Sequence, residues 1–209
     1  MKNLTLMGML VVVLAASMNS KASIYAVGSI PDGNPVGASF AGTYDQAASG
    51  ATVSGLTVDL NISGGYNGSL YAYLVAPNGT LVMLLNQPGA TISNPFGYAG
   101  SGLNVTLSDT EAGSIQATPE TPGSVFGSGH AYQAAGSLSG FNGSAADGTW
   151  TLFFADETAG GGQATLNDWS LNITAVPEPV NLALGLFVVM FLTLSILHWT
   201  GRLKHPLNQ

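Results

Sequence analysis

Cysteine is absent from the 209 residues, which removes disulfides, thiolate metal sites and cysteine nucleophiles together. Basic residues are almost as scarce, with 4 Lys and Arg in total and none between Lys21 and Arg202. A body without a basic groove cannot neutralise a phosphate backbone, so nucleic-acid binding is excluded. Histidine is nearly missing too: the body has only His130, in "GSGHAYQ". A Ser-His-Asp constellation or a zinc site would have to form around that one loop imidazole, which reads as a solvated side chain. Residues 23–174 also lack any amphipathic helical period.

What is present is acid. All 11 Asp and Glu fall between Asp32 and Glu178, so the body is an anion with no internal Lys or Arg partner. Such a surface repels anionic lipid and acidic polysaccharide unless divalent cations bridge the two. The low charge density also serves plain solubility, and Asp and Glu do that without any ligand.

The first 22 residues have the order of a secretory signal: Lys2, an apolar stretch over 4–16, then small residues at Ser20 and Ala22. Cleavage is expected after Ala22. The apolar stretch of about 13 residues is short for a permanent anchor.

From 23 to 175 the chain is Gly, Ser, Thr, Asn and Ala with interleaved apolar residues, the composition of half-buried strands and tight turns. Val58, Leu60 and Ile62 alternate onto one face, as do Trp150, Leu152 and Phe154, and Trp169, Leu171 and Ile173. Pro77-Asn78-Gly79-Thr80 is a hairpin turn between strands at 69–76 and 81–85, because Asn and Gly tolerate positive φ. Another strand is expected at 103–107. The Gly/Pro-rich stretches 86–100 and 110–136 are expected to be loops that carry whatever binding occurs. So many one-sided strands require an all-β antiparallel sandwich of two packed sheets.

The segments "FNGSAADGTWTLFFAD" at 141–156 and "ATLNDWSLNI" at 164–173 resemble the second half of a proprotein-convertase P domain. "LYAYLVAPNGT" with its "LVMLL" return is similar to that domain's opening. The resemblance covers about two thirds of the chain and implies a jelly-roll β-sandwich. It also implies, as in some P-domain-like modules, a calcium site onto which Asp156 and Asp168 map. Hard carboxylate oxygens suit Ca²⁺, and a hairpin would bring the two together. The bland reading of both is turn-forming acids at strand ends. In the family the opening Gly is followed by an acidic residue, where this chain has Gly68-Ser69-Leu70. Asn61, Asn67, Asn78, Asn104, Asn142 and Asn172 stand in Asn-x-Ser/Thr matches, which carry little information in so Asn- and Ser-rich a chain.

The tail has its own logic. Residues 180–199 contain no charge, and at about 1.5 Å per residue that run matches a bilayer core of roughly 30 Å. Arg202, Lys204 and His205 follow, placing the C-terminus in the cytoplasm. Pro177 and Pro179 separate sandwich from helix and leave Glu178 in an extended linker. The order Val176-Pro177-Glu178-Pro179, helix and basic end 200–209 resembles the PEP-CTERM sorting signal of Gram-negative bacteria. That resemblance implies processing by exosortase, a temporary helix, and release to the cell envelope, the cell surface or an exopolysaccharide matrix.

Three expectations follow for function. The first is an exported, non-enzymatic structural or adhesive module, cation-bridged to exopolysaccharide or seated on another envelope protein. The second is a carboxylate-dependent glycan hydrolase using Asp156 and Asp168. The third is a regulatory partner of a separate secreted protease, by analogy with the P domain beside its catalytic neighbour.

Overall fold

The computed structural model describes residues 18–21, 26–45, 50–177 and 179–202. It is all-β over the body, with two sheets and one C-terminal helix. The elements in chain order are β1 (Met18–Lys21), β2 (Gly28–Ile30), β3 (Asn34–Tyr44), β4 (Thr52–Ser63), β5 (Leu70–Val75), β6 (Leu81–Asn86), β7 (Leu103–Leu107), β8 (Phe126–Tyr132), β9 (Gly148–Asp156), β10 (Ala164–Val176) and α1 (Pro179–Arg202). Short 3-10 turns at Asn67–Ser69 and Leu138–Phe141 precede β5 and β9.

The larger sheet runs β1-β10-β4-β7-β8, with β2 also on the outer edge of β10, and the smaller runs β3-β9-β5-β6. The alternating apolar residues decide which face each strand buries. Val58, Leu60 and Ile62 of β4, Leu103, Val105 and Leu107 of β7, and Trp169, Leu171 and Ile173 of β10 turn inward from the larger sheet. Leu70, Ala72 and Leu74 of β5 and Trp150, Leu152 and Phe154 of β9 meet them from the smaller sheet. Together these side chains form a single core cluster. Each large apolar side chain so buried contributes about 1.5–3 kcal/mol relative to exposure. The two tryptophans are satisfied as well as buried: Trp150 Nε1 donates to Ala146 O at 3.1 Å and Trp169 Nε1 to Ala26 O at 3.1 Å.

The 77–80 turn closes the β5–β6 hairpin as expected. Gly79 adopts φ +85°, Ala76 N donates to Thr80 O at 2.8 Å, and Asn78 Oδ1 accepts from Thr80 N at 3.1 Å.

Several expectations need correction. The sandwich is not purely antiparallel, since β7 and β8 run parallel. β8 lies inside the 110–136 stretch read as loop; its "FGSGHAY" shows no alternation because it is an edge strand with only Phe126 fully buried. β3, eleven residues long, was also not anticipated: its first residues are exposed, so its apolar period emerges only at Phe40, Gly42 and Tyr44.

The C-terminal run does form a helix, α1, begun by Pro179 at the position where a missing amide costs nothing. Among the described residues, however, no helix is long and apolar enough to cross a membrane. The expected span over 180–199 is thus not met by the described residues, although Phe187, Phe191, Leu197 and Trp199 are all exposed. Most of the expected signal segment, Glu178, Lys204 and His205 lie outside the described residues. Met18–Lys21, placed by the sequence within the signal, pairs in antiparallel register with residues 172–175 of β10.

Candidate functional site

The end of the sandwich where β4, β6 and β9 hand over to their loops carries the most built-up site. The 3-10 turn Asn67–Ser69 sits at its centre, and the loop 87–102 folds back onto it: Asn67 N donates to Gly100 O at 2.9 Å and Gly68 N to Tyr98 O at 2.8 Å. The loop is held internally by Asn94, whose Nδ2 donates to Gly97 O at 2.8 Å, and by Tyr98 N donating to Pro88 O at 2.9 Å. The ring of Tyr98 lies over Gly89, which has φ +75° and no room for a Cβ. On the opposite lip, a Cβ at Gly161 would come within 2.7 Å of the Tyr66 ring, so glycine there lets the aromatic settle on the β9–β10 loop.

Between these lips runs a cleft of about 290 Å³ lined by Tyr66, Phe96, Tyr98, Ser69, Thr158 and Ala159, among others. Phe96 is 66% exposed and Tyr66 45% exposed. Two aromatics held that far into solvent by an ordered loop are an investment that packing does not explain, and exposed apolar surface of this kind marks binding.

Carboxylates lie behind one wall of the cleft. Asp156, at the end of β9, is fully buried, and its Oδ2 has no hydrogen-bond partner. Burial pushes its pKa up; the Ser69 side chain and the Thr158 amide (3.2 Å) oppose that, and the neighbouring charge of Asp32 adds to it. The Asp32-Gly33 turn packs on the loop at Ala159. Glu157 is exposed, its amide fixed to Ser69 O at 2.8 Å. Glu120 lies against the 3-10 turn: its Oε2 accepts from Asn67 Nδ2 at 2.9 Å, while its buried Oε1 has no partner. Burial raises the Glu120 pKa, opposed by the Asn67 amide and the Gly100 backbone.

The two carboxylates singled out by the sequence are not brought together. Asp156 stands in the smaller sheet opposite Asn34 and Leu70, whereas Asp168 stands in the larger sheet opposite Asn61. They sit in different sheets because β9 and β10 are joined across the sandwich and do not form a hairpin. Neither a shared calcium site nor a hydrolase pair is therefore assembled from Asp156 and Asp168. Asp168 instead shares a shallow polar depression with Asp59, Asn61, Asn104, Thr106 and Ser170. Among the described residues no group of three or more His, Asp and Glu is placed to hold a metal ion. The carboxylate that accompanies Asp156 is Asp32. His130 lies on β8, exposed, in register with Val105. Val176 and Pro177 form an exposed end to β10.

A larger polar hollow of about 350 Å³ includes Ser54, Thr57, Asp109, Asn142 and Asn172. Its one acid has a structural task. Burial pushes the Asp109 pKa up, but hydrogen bonds from Ser137, Leu138 N (2.8 Å) and Ser139 N (2.7 Å) outweigh it and hold the value below 3.8. Asp109 thus caps the 3-10 turn at Leu138–Phe141.

Sequence reasoning reached the loops of the cleft but not its residues. Tyr66, Phe96, Tyr98, Glu120 and Asp32 went unmarked, and the available signal was aromatic residues inside Gly/Pro-rich stretches.

No family model matches the chain. Over an alignment of 99 residues the chain is 37% identical to leupeptin-inactivating enzyme 1 of Streptomyces exfoliatus, a match covering 38% of this chain and 23% of that enzyme. Among solved structures, the serine protease of Aeromonas sobria in complex with its chaperone is similar over 77% of this chain and 27% of that chain, at 16% identity and a TM-score of 0.45. A second structure of the Aeromonas sobria serine protease is similar over 76% of this chain and 27% of that chain, at 17% identity and a TM-score of 0.43. The chain spans about a quarter of the length of the proteins it matches.

Proposed function

We propose that this chain is an exported, non-catalytic β-sandwich module that docks on a separate secreted enzyme of peptide metabolism and modulates it. The observation that carries the reading is the aromatic cleft held between ordered loops at one end of the sandwich, with Phe96 and Tyr66 projecting into solvent. The segment shared with leupeptin-inactivating enzyme 1 supports it, since the match takes in 23% of that enzyme and leaves the rest of that chain for other units. The P-domain resemblance points the same way.

Delivery belongs to the same proposal. The N-terminal signal takes the chain across the inner membrane of a Gram-negative cell. The PEP-CTERM-like tail, with Val176, Pro177, Glu178 and Pro179 at the start of α1 and Arg202 and Lys204 at its end, directs the precursor to exosortase for processing. The mature module then resides in the envelope or outside the cell.

A second reading, a surface adhesin bridged by calcium to exopolysaccharide, draws on one observation: the unpartnered Asp156 Oδ2 beside Asp32, in a body without Lys or Arg. The test of the leading reading is to capture exported proteins of the native host on the purified full chain and assay the captured fraction for peptidase activity, with and without added chain. Co-capture of a peptidase whose turnover changes with the chain is expected. Capture without peptidase activity, or turnover indifferent to the chain, would overturn the proposal.

A further inference from the structure

The cleft faces a chemical imbalance. Its walls carry the rings of Tyr66, Phe96 and Tyr98, and next to its lining residue Thr158 stand the acids Asp156 and Glu157, with Asp32 beside Asp156. One of its lining residues, Thr158, donates its amide to Asp156 Oδ1 at 3.2 Å, so the buried carboxylate lies just behind the cleft wall. Asp156 Oδ2 is fully buried and unpartnered, and no Lys or Arg occurs between residues 21 and 202 to answer it. A buried carboxylate in that position is costly unless it meets a donor or a cation. Any cation that meets it comes from outside the sandwich.

Resting on the docking reading above, we infer that the cleft takes an arginine- or lysine-bearing extended segment of the partner protein, with the side chain laid across Tyr66, Phe96 and Tyr98 and its head turned toward Asp156 and Glu157. Three physical terms favour that occupant over a neutral or acidic one. The aliphatic stem of Arg or Lys covers aromatic surface while its head stays polar. The faces of the rings attract the cation. A planar guanidinium both stacks on an aromatic and donates to carboxylates. Acidic glycans meet the like charge of Glu157 and Asp156, and a neutral sugar brings hydroxyl donors but no cation for the ring faces. Pre-ordering of the lip by Asn94 and by the Gly68–Tyr98 hydrogen bond lowers the entropic cost of closing on such a segment.

The probe is a short fluorescein-labelled Gly/Ser peptide bearing two arginines, compared with the same peptide bearing citrulline, by fluorescence anisotropy on the purified full chain. Citrulline keeps the shape but removes the charge, with one donor nitrogen replaced by a carbonyl oxygen. The arginine peptide is expected to bind about tenfold more tightly than the citrulline peptide, and Phe96→Ala and Glu157→Gln are each expected to weaken it about tenfold. Both positions are exposed, and circular dichroism of each variant checks the fold. Equal binding of the two peptides, indifference to Phe96→Ala, or displacement of the arginine peptide by a neutral oligosaccharide overturns the assignment. Failure here is separable from failure of the docking reading. If the full chain captures and alters a peptidase but does not bind the arginine peptide, this cleft assignment falls and the docking surface lies elsewhere. If the peptide binds in a Phe96-dependent way but no peptidase is captured or altered, the assignment stands and the docking reading falls.

Discussion

Asn67 Nδ2 donates to Glu120 Oε2 at 2.9 Å, joining two loops that lie 53 residues apart in the chain. The same amide group donates to Gly102 O at 2.9 Å, and Asn67 Oδ1 accepts from Gly102 N at 3.0 Å. One fully buried side chain therefore ties the 3-10 turn to the loop 87–102 and to Glu120. Asn67→Ala removes all three bonds and strands the backbone of Gly102 and one more oxygen of Glu120. The expected loss is about 2–4 kcal/mol, read from urea unfolding of the full chain. An unchanged midpoint would mean that the loop is held by something else.

Three acids set the pH dependence. Glu120 and Asp156 have folded pKa values raised from 4.5 and 3.8 by burial. The folded state holds those protons more tightly than the unfolded state, so their stabilising contribution is complete below the ordinary values and is lost as pH rises through the folded ones. Asp109 is lowered from 3.8 and has the opposite sign: its contribution is present above 3.8 and lost as pH falls through its folded value. The melting temperature is expected to rise as neutral solution is acidified toward pH 4.5, and to turn over below 3.8 as Asp109 takes up its proton. A melting temperature that falls steadily from neutrality would contradict this ordering.

Asp156→Asn separates the structural role of that carboxylate from a cation-binding one. The amide keeps an acceptor for Thr158 N and removes the buried charge beside Asp32. Without added metal, the variant is expected to be more stable at neutral pH by roughly 1 kcal/mol. In calcium, the wild-type melting temperature rises and that of the variant stays fixed if Asp156 and Asp32 hold the ion. The same scan reports whether the adhesive reading has a physical basis.

Trp150 tests the core. Its ring meets Phe141 edge-on at 5.2 Å between centroids, and its Nε1 is bonded to Ala146 O. Trp150→Ala leaves a cavity between the sheets and an unpaired carbonyl, with an expected cost of about 3–5 kcal/mol. Differential scanning calorimetry measures it. A cost below about 1 kcal/mol would indicate that the sheets collapse onto the vacancy.

Legibility followed burial. β7 was bounded to the residue, and the Trp150 and Trp169 strands were found with their inward faces, because one side of each meets the core and every second residue must be apolar. β8 and the first part of β3 were missed because edge and exposed segments bear no such demand. The β9–β10 connection misled for a related reason: Asp156 and Asp168 are twelve residues apart and read as hairpin neighbours, yet nothing local says whether the chain turns back into its own sheet or crosses to the other.

The sequence by itself determined an all-β body, its two-faced strands, the 77–80 turn, the acid excess and the absence of thiol chemistry, since each depends on composition or on contacts between near neighbours. Only the tertiary structure decided which sheet each strand joins, and so which acids share a neighbourhood. It also decided the cleft, whose parts come from Tyr66, from Phe96 and Tyr98, and from Thr158. Those residues meet through long-range backbone pairing and glycine-permitted close approach, and no periodicity along the chain records such a meeting.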